Sequence, residues 1–153
     1  MIGRLQQIKQ VRLERAEQQL TAQQARVQLA RIRQREAEQE SLDYRQWRLA
    51  EEARLFAICQ AEQLDRKGLK AWQQQVALLR AKEAHLEQLA AEQGEQVIEE
   101  RTRLQACQQT EYCARQQREK FAELHRQELA ARQALLDYNE EQEQEEFRQQ
   151  IRM

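Results

Sequence analysis

The sequence predicts an all-α protein: two long helices folded back on each other as an antiparallel coiled-coil hairpin, with helix two the longer. Three observations carry that expectation. Ala, Glu, Lys, Leu and Arg make up 87 of 153 residues and Gln adds 30 more, a composition that belongs to long helices and coiled coils. Proline is absent and only three glycines are present, so helices can run without interruption. Apolar residues recur in a three-four alternation flanked by charge, the pattern of a heptad seam.

The same arithmetic excludes other classes. Leu, Ile, Val and Phe total 31 residues and aromatics only 5%, too little for the deep core of a globular enzyme domain or a β-rich fold. A disordered chain this poor in large apolar residues usually carries a large net charge, whereas 25 basic residues here offset 26 acidic ones.

Helix one is expected over about residues 2–62. Leu13, Ala16, Leu20, Val27, Ala30 and Ala37 follow the alternation, and Tyr44, Leu55 and Ile58 fall on the same series. A neighbouring row, Leu42, Leu49 and Phe56, is also spaced by seven, so the seam is expected to widen or rotate near Tyr44. A reversal follows over about 63–68. Asp65 suits an N-cap, with Leu64 and Leu69 spaced as a hydrophobic staple; alternatively, Gly68 is the C′ residue closing helix one.

Helix two is expected over about 66–148, and the whole of 1–153 is read as one hairpin. Leu69, Trp72, Val76, Leu79, Leu86, Ala90, Val97, Leu104, Cys107, Ala114 and Phe121 share one heptad series. Glu83, Gln93, Glu100, Glu111 and Arg118 interrupt it, so the seam is polar in places. Gly94, inside this run, should cost about 1 kcal/mol without ending the helix. A reversal near residue 65 places Met1 beside Ala130, and about twenty residues of helix two then extend past the N-terminus.

Charge is uneven. Residues 1–35 carry eight basic residues against Glu14 and Glu17, a balance of +6, and residues 137–153 carry six acidic residues against Arg148 and Arg152, a balance of -4. Two readings stand: solvated helix faces, or a polarised end that sits among charged protein loops.

Elements of catalytic chemistry are missing. Gly3, Gly68 and Gly94 are too scattered for a phosphate loop, and His85 and His125 lack the Glu-x-x-His spacing of a helical di-metal site. Catalytic, cofactor and metal sites are therefore expected to be absent, and the protein to be no enzyme. Arg residues are interleaved with Glu, without the continuous basic stripe of a nucleic-acid binder. Cys59, Cys107 and Cys113 read as reduced thiols, and no stretch has the length and apolarity of a membrane span or signal core. The expectation is a cytoplasmic protein that binds no nucleic acid and does not insert into membrane.

Tyr44, Trp47, Phe56 and Trp72 gather near the reversal. Trp72 is on the seam and reads as packing. Tyr44 and Trp47, with Leu42 nearby, read equally as local packing or as a partner contact, since aromatic residues dominate binding hot spots.

Four segments carry a family resemblance: MIGRLQQIKQVRLERAEQQL at the start, DYRQWRLAEEARLF over 43–56, LKAWQQQVALLRAKEAHLE over 69–87 and YNEEQEQEEF over 138–147. They resemble YscO-type proteins of bacterial type III secretion systems, the injectisome counterparts of flagellar FliJ, over nearly the whole chain. The resemblance implies a non-enzymatic stalk, similar to part of a rotary ATPase γ subunit. Such a stalk would link the secretion ATPase to the export gate, peripherally associated with the inner-membrane apparatus. It also implies binding of export chaperones and of the needle-length regulator. Gate-binding positions of the flagellar relatives imply Leu42, Tyr44, Trp47, Trp72 and Val76 here. The γ-subunit likeness implies an ATPase-pore end holding Arg4, Lys9, Arg12, Tyr138, Glu141 and Phe147. The competing readings are a chaperone escort with no mechanical role and a generic homodimeric coiled-coil scaffold.

Overall fold

The structure, a computed structural model, describes residues 1–63 and 65–152. Helix α1 spans Ile2–Glu62 and helix α2 spans Arg66–Arg152, and the two form an antiparallel hairpin in which α2 is longer. Gln63 ends α1 in the left-handed region, with φ 43°. Asp65 then opens α2. Its Oδ1 accepts the Gly68 N–H at 2.9 Å, a donor that the first turn leaves free, and its carbonyl accepts the first intrahelical bond, from the Leu69 N–H at 3.0 Å. Gly68 is thus the third residue of α2, and the alternative that it closes α1 is corrected. The left-handed step falls on Gln63 instead. The expected staple involves Leu64, which lies outside the described residues.

Packing separates two compact units, Met1–Thr21 with Ala106–Met153 and Ala22–Gln105. In the first, Leu13 and Ala16 are buried, while Cys107, Glu111, Ala114, Arg118, Phe121, His125 and Glu128 are half-buried along the facing stripe. Lys9 lays its Nζ 5.2 Å from the centre of the Phe121 ring. Gly3 lies so close to His125 that a Cβ there would meet its ring Cε1 at 3.3 Å. Helix α1 therefore begins beside His125, where the simple pairing rule placed it beside Ala130. Every residue from 129 to 152 is exposed.

In the second unit Val27, Ala30, Leu86 and Val97 form the buried apolar layers. Gln23 and Glu100 add a buried polar layer. Gly94 continues the helix and lets Gln34 approach closely, its Nε2 standing 3.3 Å from where a Cβ would be. The seam keeps its register through Tyr44 and Arg48, then broadens at Glu51 and Glu52 and continues through Leu55 and Cys59. Ile58 is exposed, and Leu42, Leu49 and Phe56 stay about half exposed, so the seam does not rotate onto that row. A two-helix contact covers only a narrow stripe of each helix, so the neighbouring row is covered only in part, Phe56 reaching the Trp72 ring from its edge.

Candidate functional site

Tyr44 organises the surface of the second unit. Its position on the seam half-buries the side chain, and the hydroxyl crosses to α2 and donates to the Leu79 carbonyl at 3.0 Å. Lys82 on α2 holds its Nζ 5.1 Å from the Tyr44 ring centre, within range of a cation–π attraction. Burial pushes the Tyr44 phenol above its ordinary pKa, with Arg48 opposing and Glu83 adding to the shift. Trp47, less than one turn on, packs its ring 5.5 Å from that of Tyr44 with the planes at 40°. Trp47 remains 51% exposed. Beside it runs a shallow groove edged by Glu36, Gln39, Glu40, Asp43 and Lys82, an aromatic face with a mostly acidic rim.

The five residues implied as a gate-binding set do not form one patch. Leu42 is 54% exposed, but it precedes Trp47 by five positions, about 140° around a helix of 3.6 residues per turn. It belongs with Leu49 and Phe56 on the other flank of the seam. Phe56 packs 6.2 Å from Trp72, planes at 49°. Trp72 and Val76 are half-buried in the seam. The Trp72 Nε1 is shielded and finds no acceptor among the described residues.

A cluster of ion pairs that the sequence reading missed braces this region. Arg48 pairs with Glu52 at 2.8 Å and, across the helices, with Glu83. Glu52 also receives Arg80 of α2 at 3.1 Å, and Glu83 receives Arg45 at 3.7 Å. The hydrogen bond from Arg80, with a further one from Arg48, holds the Glu52 carboxyl below its ordinary pKa against the opposing effect of burial. The hydrogen bond to Glu52 raises Arg48 in turn. Arg48 and Glu52 are spaced i, i+4, the only local signal of the cluster; its cross-helix half depends on register. Arg48, Glu52 and Glu83 are mostly covered, whereas Arg45 and Arg80 are exposed and their pairs stabilise weakly.

The residues implied for the ATPase-pore end all fall in the first unit. Arg4, Arg12, Tyr138, Glu141 and Phe147 are exposed, and Lys9 is half-buried against Phe121. Arg4, Gln7, Ile8, Val11, Arg12 and Arg15 line a shallow groove on α1. On α2, Tyr138 accepts the Gln142 side-chain amide at 2.8 Å. Cys59, Cys107 and Cys113 are free thiols. Among the described residues no helix is long and apolar enough to cross a membrane, and no group of three His, Cys, Asp or Glu could hold a metal.

Comparison with known proteins places these surfaces in context. The family model described as type III secretion protein YscO matches residues 2–150. The Yop proteins translocation protein O of Yersinia pseudotuberculosis is 45% identical over 128 residues, 84% of this chain and 83% of its own length. The crystal structure of type III secretion protein YscO from Vibrio parahaemolyticus is similar with a TM-score of 0.91 at 39% identity, covering 96% of this chain and 92% of that one.

Proposed function

The chain belongs to the YscO family of type III secretion proteins, and from that premise we propose that it is a non-enzymatic coupling stalk of the export apparatus. In this reading the end bearing residues 1–21 and 129–152 enters the pore of the secretion ATPase. The aromatic surface at Trp47 meets the export gate or an export chaperone. The observation that carries the reading is the α2 extension: residues 129–152 are helical, unpaired with α1 and exposed throughout. A free helix with Tyr138, Phe147 and Ile151 among acidic residues suits loose packing inside a polar sleeve. Charge contacts of that kind orient more than they tighten.

The test is ATP turnover by the cognate ATPase with full-length protein and with a form lacking residues 137–153. The full-length protein should stimulate turnover, less so as salt rises, and the truncated form should not. Equal stimulation by both forms removes the pore-insertion reading and leaves a chaperone escort, acting through the Trp47 surface, as the better account.

A further inference from the structure

Two exposed surfaces of the first unit complement each other in charge and apolarity. The first is the stretch after the last covered turn of α2. Residues 129–136, Leu-Ala-Ala-Arg-Gln-Ala-Leu-Leu, carry one charge, yet Leu129, Leu135 and Leu136 are 49%, 61% and 57% exposed. Residues 137–152 follow with a balance of -4. The second surface is the groove on α1, where Ile8 and Val11 are exposed between Arg4, Arg12 and Arg15. Over residues 4–15 four basic residues face one acidic residue, Glu14.

We propose that the protein forms a reversible two-fold dimer in which the α2 extension of each copy lies on the α1 groove of the other. A chain cannot make this contact with itself. Helix α2 runs unbroken to Arg152 and passes the start of α1 beside His125, so its acidic stretch points away from its own groove. In a second, antiparallel copy the geometry closes. The two 129–136 stretches cross at the dyad and cover each other's leucines, and each 137–152 stretch continues beside residues 4–15 of the other copy. At 1.5 Å per residue these span about 24 Å and about 18 Å, a workable match. The contact is isologous, so assembly stops at two copies. A parallel pairing sets acidic stretch against acidic stretch and is disfavoured by charge. The dimer covers the helix that the stalk reading gives to the ATPase, so the two states exclude each other, but the proposal does not rest on that reading.

Sedimentation equilibrium of the full chain, from about 5 to about 200 µM, is the test. A monomer–dimer equilibrium is expected, about tenfold weaker at about 300 mM than at about 50 mM salt. Two charge-reversed variants, Glu140→Lys/Glu141→Lys/Glu143→Lys and Arg4→Glu/Arg12→Glu/Arg15→Glu, should each be monomeric while keeping full helicity by circular dichroism. Mixed together they should form a heterodimer, because each reversed surface then meets its complement. A chain that stays monomeric throughout overturns the proposal. So does a dimer that survives deletion of residues 129–153, or a mixture that fails to associate.

Discussion

Gln23 on α1 donates its side-chain amide to two oxygens of Glu100 on α2, the backbone carbonyl at 3.0 Å and the carboxylate Oε2 at 2.5 Å. Both residues are buried, Gln23 to 5% and Glu100 to 7% exposure. The Glu100 carboxylate also accepts Gln96 and Arg103, each at 3.2 Å. Slipping one helix past the other leaves the buried Gln23 amide without its acceptors and Glu100 Oε2 without this donor, so the pair favours one register. Gln96 and Arg103 stay with Glu100 on α2 in any register. Replacing Gln23 by Leu should lower the unfolding free energy by about 1–3 kcal/mol, the cost of an unmet buried polar group, as measured by urea denaturation. Replacing both residues by Leu should recover most of that loss. Without the polar pair the register is less defined, and doubled amide resonances should appear around residues 20–30.

The Tyr44 and Trp47 rings pack 5.5 Å apart but differ in exposure, Tyr44 half-buried and Trp47 exposed. Tyr44→Phe removes only the hydrogen bond to the Leu79 carbonyl and should cost about 0.5–1.5 kcal/mol. Trp47→Ala removes a half-exposed ring. It should shift the melting temperature little while weakening binding to the export gate or a chaperone. If Trp47→Ala instead costs as much as a buried aromatic, about 3 kcal/mol or more, the ring is packing and the partner surface lies elsewhere.

Acid should loosen the second unit through Glu52. Its folded-state pKa is held below the ordinary value chiefly by Arg80, so its contribution is full above the unfolded carboxylate pKa of about 4.3. That contribution fades as pH falls through the lower, folded value. Hydrogen-exchange protection factors over residues 44–56 and 76–84, taken relative to the intrinsic rate at each pH, should therefore fall below about pH 4.3. Arg80→Met should reduce the size of that pH-dependent change.

Gly94 offers a stabilising change. A Cβ there meets only the amide end of Gln34 at 3.3 Å, a flexible group that can swing aside. Gly94→Ala should then gain up to about 1 kcal/mol from helix propensity, seen as a raised melting temperature. The contrasting variant, Gly3→Ala, presses on the rigid His125 ring at the same distance and should gain less or lose.

Much of the fold was legible because a coiled coil writes its contacts into a local repeat. The α2 positions from Trp72 to Phe121 alternate by three and four in the sequence and are the covered positions in the structure. Asp65 was readable as a cap for the same local reason: an N-cap bonds a neighbour three residues away. The candidate surfaces were only partly legible. Tyr44 and Trp47 stood out as an aromatic pair open to packing or partner contact, yet Leu42 was grouped with them by nearness in sequence, which on a helix misjudges the face. The Arg48–Glu52–Arg80–Glu83 cluster gave one local hint and no more, since three of its ion pairs join residues 28 or more positions apart, including Glu52 with Arg80 and Arg48 with Glu83.

By itself, the sequence determined that the protein is two long helices meeting along a heptad seam, because helix propensity, missing proline and apolar period act over only a few residues each. Tertiary structure decided which residues face each other. It set α1 to begin beside His125, joined Gln23 to Glu100 and Tyr44 to Leu79, and left residues 129–152 without a partner helix. The physical reason is that a heptad repeat is nearly degenerate in register. Every slip by seven again matches apolar with apolar, and only the larger, rarer groups distinguish one slip from another: a buried amide needing its carboxylate, a phenol needing its carbonyl, a glycine making room for an imidazole.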